Sequence, residues 1–187
     1  MPSLAAQNSQ ADAVYAAIPH EHWIEQLDDG RHVLVRPLTA DDREREYAFI
    51  KGLSRESRHA RFLGEINEPG KALLDQLMSV DNQQRMAFIA LVHANGTLIE
   101  IGVARYATAK EDECECAVTV ADTWQRLGLG RILMQHLIKA ARANGFKRMY
   151  TIDAATNLPL RELTHALGFN SVTDPDDRTQ IISSVAL

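Results

Sequence analysis

The sequence is poor in several features that would otherwise classify it. Only two of its 187 residues are cysteine. Cys114 and Cys116 stand one residue apart, in what reads as a strand. Side chains at i and i+2 of a strand point the same way, roughly 6–7 Å apart at the backbone, which is awkward for a disulfide. Two buried, reduced thiols are expected, as in a reducing compartment. No apolar run approaches the roughly 18 residues needed to span a bilayer. The N-terminus, Met1-Pro2-Ser3-Leu4-Ala5-Ala6-Gln7-Asn8, lacks the basic and apolar regions of a signal peptide. Basic charge is short too: 20 Lys and Arg against 25 Asp and Glu leave −5. The longest basic cluster is Lys147-Arg148, which argues against a nucleic-acid surface. His20-Glu21-His22 has no third ligand nearby, so no metal is expected. Together these absences predict a cytoplasmic protein without membrane or nucleic-acid partners; they leave its oligomeric state, monomer or homodimer, open.

What is present is the composition of a globular protein, 45% hydrophobic and 24% charged, in a length that suits one domain. Residues 1–14 are polar and Ala-rich without period and read as a loose arm. Trp23–Leu27, the turn Asp28-Asp29-Gly30 and Arg31–Leu38 read as a hairpin, the Asp-Gly pair supplying the positive φ of the turn. Thr39-Ala40-Asp41-Asp42 opens a helix running to Leu53, with a Thr cap and acidic residues at the positive dipole end. Short helices follow at 54–63 and 71–80. Arg85–His93 and Thr97–Ala107 flank Asn95-Gly96, a type I′ hairpin signal. A strand at Glu113–Ala121 precedes a helix from Gly130 to Asn144, stopped by Gly145. Lys147–Asp153 reads as strand, Pro159–Leu167 as helix and Thr179–Val185 as a last strand. Helices, an antiparallel meander and then β-α-β-α-β predict an α/β protein with one mixed sheet.

The segment richest in chemistry is Val118-Thr-Val-Ala-Asp122-Thr-Trp-Gln125-Arg-Leu-Gly128-Leu-Gly130-Arg131. Here a strand feeds a glycine-containing turn that opens directly into a helix. The first amides of a helix lack intrahelical partners and carry partial positive charge, a geometry that accepts phosphate. Gly128 and Gly130 would let a ligand approach, and Arg126 and Arg131 flank the turn. A P-loop would need Gly-Lys-Ser/Thr, but Arg131-Ile132 stands there, and Leu133 fills the third small position of a dinucleotide fingerprint. A glycine turn that binds nothing is the plain alternative.

Gln125-x-x-Gly128-x-Gly130, preceded by Val118-x-Val120 and Asp122, resembles the acetyl-CoA signature of the Gcn5-related N-acetyltransferases (GNAT family). Asn157 and Ala166-Leu167-Gly168-Phe169 fall where that family places a cofactor-contacting asparagine and its helix ending. Leu53-Ser-Arg-Glu-Ser-Arg-His-Ala-Arg-Phe62 resembles a block of bacterial GNAT domains related to protein-lysine acetyltransferases. The resemblance covers roughly Arg31 to Leu187, dividing the chain into an N-terminal extension (1–30, arm plus first hairpin strand) and a GNAT domain (31–187). It implies a GNAT-like fold with splayed central strands and helices on both faces. It also implies acetyl-CoA as co-substrate, an amine acceptor (protein lysine or small molecule) and no metal. The main chain of Val118 and Val120 would pair with the pantetheine arm. The amides of Arg126, Leu127, Gly128, Leu129, Gly130 and Arg131 would hold the pyrophosphate, and Asn157 would touch the pantetheine.

Acetyl transfer to an alkylammonium requires a base, because the reference pKa of lysine is about 10.4. Glu115 resembles the glutamate that lysine-acetyltransferase relatives carry on this strand, and period two places Glu113, Glu115, Ala117 and Thr119 on one face. The plain alternative is a solvated residue near a strand end, with Glu113 in reserve as base. One departure matters: many relatives use a tyrosine as general acid where Thr164 stands here. His165 beside it reads as packing or surface, Ile152 occupies another family base position, and no tyrosine among 15, 47, 106 and 150 is singled out by spacing. Trp124 is expected to pack beside the turn, and Arg58 and Arg61 to lie on a solvated helix face or line the acceptor side. A non-catalytic acetyl-CoA-binding regulatory domain is the rival reading.

Overall fold

In the computed structural model, which describes residues 21–64 and 66–187, each predicted strand and helix is found within a few residues of its expected bounds. The predicted arm and His20 lie outside the described residues. In chain order the elements are β1 (Trp23–Gln26), β2 (His32–Pro37), a 3-10 turn (Ala40–Asp42), α1 (Arg43–Gly52), α2 (Arg55–Phe62) and α3 (Lys71–Met78). Then come β3 (Arg85–Ala94), β4 (Thr97–Lys110), β5 (Glu113–Val120), α4 (Leu129–Ala143), β6 (Arg148–Ala154), α5 (Leu158–Ala166), β7 (Asn170–Thr173) and β8 (Gln180–Ala186). The strands form one eight-stranded sheet in the order β1-β2-β3-β4-β5-β6-β8-β7.

Local chemistry accounts for the hairpins. Asn95 and Gly96 both have positive φ, 50° and 82°, as a type I′ turn demands, and Gly30 has φ 87°. β7 has no counterpart in the sequence reading. All four of its residues are exposed, so it carries no burial pattern, and it exists because it pairs with β8.

Alternation along β3 builds two cores. Met86, Phe88 and Ala90 pack with Leu133, Leu137 and Ala141 of α4, while Ala87, Ile89 and Leu91 pack with Phe49 and Ile50 of α1. Leu163 of α5 joins the first core and Leu77 of α3 the second, so helices cover both faces. Leu133 and Leu137 are fully buried, and each contributes about 2 kcal/mol of burial free energy. At the start of α1, the buried Asp42 carboxylate accepts both Arg36 nitrogens (2.6 and 2.7 Å) and the Thr39 N–H and hydroxyl (2.9 Å each). Burial pushes its pKa up, but Arg36 and Thr39 outweigh that and hold it at about 2.

The feature that positions a site is where the sheet opens. β5 and β6 pair in parallel only at Glu113↔Arg148, Cys114↔Met149 and Glu115↔Tyr150. Beyond that the strands run on to Val120 and Ala154 without meeting, whereas β5 keeps its pairing with β4 out to Val120. The predicted splay is present, and it leaves the β6-facing backbone edge of 116–120 without a strand partner among the described residues.

Candidate active site

The turn after β5 has two residues in left-handed backbone, Arg126 (φ 61°) and Gly128 (φ 81°), the second capping α4. The first intrahelical bond runs from the Ile132 N–H to the Gly128 carbonyl at 3.1 Å. The amides of Leu129, Gly130 and Arg131 thus have no backbone partner among the described residues, at the positive end of a 15-residue helix. The glycines serve different ends. A Cβ on Gly128 would lie 3.0 Å from both carboxylate oxygens of Asp28, beside a backbone that L-residues rarely adopt. One on Gly130 would meet Leu163 Cδ2 at 3.3 Å, so Gly130 also allows α5 to close against the turn. The Asp28 N–H donates to the Leu127 carbonyl at 3.1 Å, which ties the β1–β2 hairpin to this turn.

Arg126 reaches sideways to Glu162 of α5 at 3.1 Å, with both side chains exposed. Trp124 packs against the core with the Arg31 guanidinium 3.9 Å above its ring, which agrees with the packing role expected of it.

The two separated sequence blocks meet at Asp122. Its carboxylate accepts from the Ser54 N–H (2.8 Å), the Ser54 hydroxyl (2.7 Å) and the Ser57 hydroxyl (2.6 Å). Burial raises its pKa, but the bonds from Ser57 and Ser54 outweigh that and hold it below the usual range. Gln125 closes the clamp, donating to Ser57 Oγ (3.2 Å) and to the Val120 carbonyl (3.1 Å). Ser54 also caps α2, so this clamp fixes α2 over the opening of the sheet. Arg58 is not on a solvated face. It donates to the carbonyls of Ile66 (3.0 Å), Lys51 (3.2 Å) and Leu53, binding the connections around α2.

Glu115 stands at the fork of β5 and β6 and lines an open cleft of about 310 Å³ that reaches under α2 and α3. Its alternate Glu113 is paired with Arg148 at 3.2 Å. Tyr150, in register with Glu115, is the tyrosine that spacing did not single out. Burial first, and then the Glu115 and Glu113 carboxylates, raise its phenol above the ordinary range against the pull of Arg148. Cys114 and Cys116 are buried on the opposite face as free thiols. Burial pushes Cys114 up to about 12 and Cys116 higher still.

The acetyltransferase (GNAT) family model matches residues 50–169, which include the Ser-Arg block, the glycine turn and the Gly-Phe ending. The chain belongs to the GNAT family. It is 57% identical to acetyltransferase PA5475 of Pseudomonas aeruginosa, over 97% of this chain and 98% of that one. Among solved structures, the GNAT domain of Streptomyces lividans PAT superposes with a TM-score of 0.81 at 25% identity, covering 91% of this chain and 99% of that domain. The fold is shared with yncA of Salmonella typhimurium, solved with its cofactor acetyl-CoA (TM-score 0.64, 19% identity, 84% and 94% coverage). The protein is an acetyl-CoA-dependent acetyltransferase.

Within this GNAT fold, the remaining positions read as follows. Asn157 caps α5, its side-chain oxygen accepting the Leu160 N–H at 3.3 Å. Thr164, at the family tyrosine position, is buried and donates to the Arg161 carbonyl at 3.1 Å, while His165 is exposed. Two groups escaped the sequence reading because their settings come from tertiary packing alone. One is Tyr150; the other is Asp153, which is 2% exposed and has no hydrogen-bond partner at either carboxylate oxygen among the described residues. Burial raises Asp153 to about 6, opposed by Arg161. No group of metal-ligating side chains forms among the described residues, and no helix there is long and apolar enough to cross a membrane.

Proposed function

We propose that this acetyltransferase moves the acetyl group to a primary amine by direct transfer, with Glu115 as general base. The observation that supports this most is the position of Glu115 at the fork, where it lines the cleft and forms no ion pair among the described residues. Acetyl-CoA, when bound, supplies the activated acetyl group. The residues present fit such a ligand: an edge at Val118 and Val120 that no strand among the described residues pairs with, a glycine turn with the amides from Arg126 to Arg131, and Asn157 at the next helix start. Arg131 adds charge beside the turn, whereas Arg126 would exchange its exposed contact with Glu162 for the anion.

Glu115 accepts the ammonium proton, directly or through one water, and the free amine forms the amide C–N bond as the thioester C–S bond breaks; CoA leaves as the thiolate and takes the proton that the acylated nitrogen sheds. The thiols offer no competing acyl-enzyme route, since burial keeps both protonated. The acceptor is either a protein lysine or a small-molecule amine. The deciding experiment is Glu115→Gln assayed by CoA release with acetyl-CoA binding measured in parallel. Turnover should fall by roughly 10²–10⁴-fold with cofactor affinity preserved, and unchanged turnover overturns the assignment.

A further inference from the structure

The cleft beside Glu115 is unexpectedly cationic for a site that receives an amine. Its walls bring together Arg61 of α2, Arg85 of β3 and Arg105 of β4, with Glu115 as their acidic counterpart. Arg105 is answered from behind: it donates to Glu46 Oε1 at 2.5 Å and to the Leu77 carbonyl at 2.7 Å. Glu46 is itself 1% exposed, its Oε1 paired with Arg105 and its other oxygen without a hydrogen-bond partner among the described residues. Arg61 has no such answer. It forms no ion pair among the described residues, and its guanidinium carbon lies 5.0 Å from the ring of its neighbour Phe62. It is only partly exposed, and Arg105 is close enough to repel it. Burial first, and then Arg105, lower its pKa to about 10, with Glu46 and Glu115 pulling the other way. A desolvated cation next to another cation costs free energy unless an anion completes the arrangement.

We propose that the acceptor itself brings that anion. The substrate is an amine carrying a carboxylate or phosphorus oxyanion a few ångströms from its nitrogen. Arg61 grips the anionic group, Arg85 lies at the exposed mouth of the cleft, and the ammonium is directed toward Glu115. A purely cationic acceptor such as a polyamine would bring charge into a cleft where guanidinium groups outnumber carboxylates, and is disfavoured. Amino acids and aminophosphonates have the required chemistry, and the Arg fork suits their planar or trigonal oxyanions. The inference deepens the reading of Glu115 as base at this cleft and depends on it.

The test uses matched acceptors that differ in the anion alone: L-phenylalanine with phenethylamine, and L-methionine with 3-(methylthio)propylamine. The wild-type chain should show at least tenfold higher kcat/KM for the anion-bearing member of one pair or both. Arg61→Ala should shrink that preference at least tenfold, chiefly through KM, and Arg61→Lys should restore part of it. Equal kcat/KM within both pairs, a preference that survives in Arg61→Ala, or faster acetylation of a lysine peptide with neutral flanks would each overturn the proposal. The wild-type comparison needs no variant, so a misfolded Arg61→Ala leaves the proposal testable. If phenethylamine and 3-(methylthio)propylamine are acetylated as fast as their partners, the anion proposal fails while the transferase reading stands. If no amine releases CoA, both fail.

Discussion

Glu115 on β5 and Tyr150 on β6 are partners in register, and theirs is the last pair before the two strands part. In a parallel ladder, registered side chains emerge on the same face, so phenol and carboxylate share the mouth of the opening. Of the four tyrosines, Tyr106 is held inside by Gln83 and Asn144, and Tyr47 is bonded to Glu68. Tyr15 lies outside the described residues. Burial first, and then the Glu115 charge, raise the Tyr150 phenol.

Tyr150→Phe should therefore weaken catalysis by leaving the carboxylate less well oriented. A hydrogen bond to a charged group contributes about 1.5 kcal/mol, which converts to roughly tenfold in kcat/KM for the acceptor. Steady-state kinetics with acetyl-CoA held saturating measures this, and equal rates in the two proteins would remove Tyr150 from the site.

The glycine turn makes a contrasting pair of predictions. Gly128→Ala places a Cβ 3.0 Å from the Asp28 carboxylate on a backbone with φ 81°, a conformation that costs an L-residue about 1–2 kcal/mol. Acetyl-CoA affinity, measured by calorimetry, should fall by at least about tenfold, and Gly128→Val should abolish it. Gly130→Ala keeps its amide and asks only a few tenths of an ångström of Leu163. Its affinity should change far less, and equal losses at both positions would refute the distinction.

These effects also show what was legible in the sequence and what was not. The hairpins, the glycine turn into α4 and the Glu115 face could be read, because each is encoded locally by turn residues or a period of two. β7 could not, since its residues are all exposed, nor could the pairing of Glu115 with Tyr150, which depends on how α4 returns the chain to the sheet. Arg58 and Arg61 shared one apparent helix face in sequence, yet one satisfies loop carbonyls and the other lines the cleft. The hairpin strand assigned to the N-terminal extension pairs with β2 in the sheet, with the Trp23 ring tilted against His136 at 4.4 Å and His136 Nε2 2.7 Å from Glu25.

The Asp122 clamp predicts a measurable coupling between two distant sequence blocks. Asp122→Ala removes three hydrogen bonds to a charged acceptor, and because the site is largely exposed the cost should be about 2 kcal/mol, near the low end for such bonds. In a double-mutant cycle by urea denaturation, Ser57→Ala and Asp122→Ala should be non-additive by about 1 kcal/mol. Strict additivity would mean that the 2.6 Å contact contributes nothing in solution.

Asp153 supplies the pH prediction. Its carboxyl is buried beside α5 without a hydrogen-bond partner among the described residues, and burial raises it from 3.8 to about 6. A carboxyl raised in the folded state binds its proton more tightly there than in the unfolded chain. Its contribution is therefore most favourable below pH 3.8, declines as pH rises toward 6, and stays low above that. The gap corresponds to about 3 kcal/mol. Asp153→Asn mimics the protonated form at every pH. It should raise the unfolding free energy by about 1–3 kcal/mol at pH 8, where the wild-type group must ionise without a partner, and change it little at pH 4. Denaturation curves at the two pH values provide the check. A stabilisation of the same size at both would show that the variant acts through packing and not through the charge.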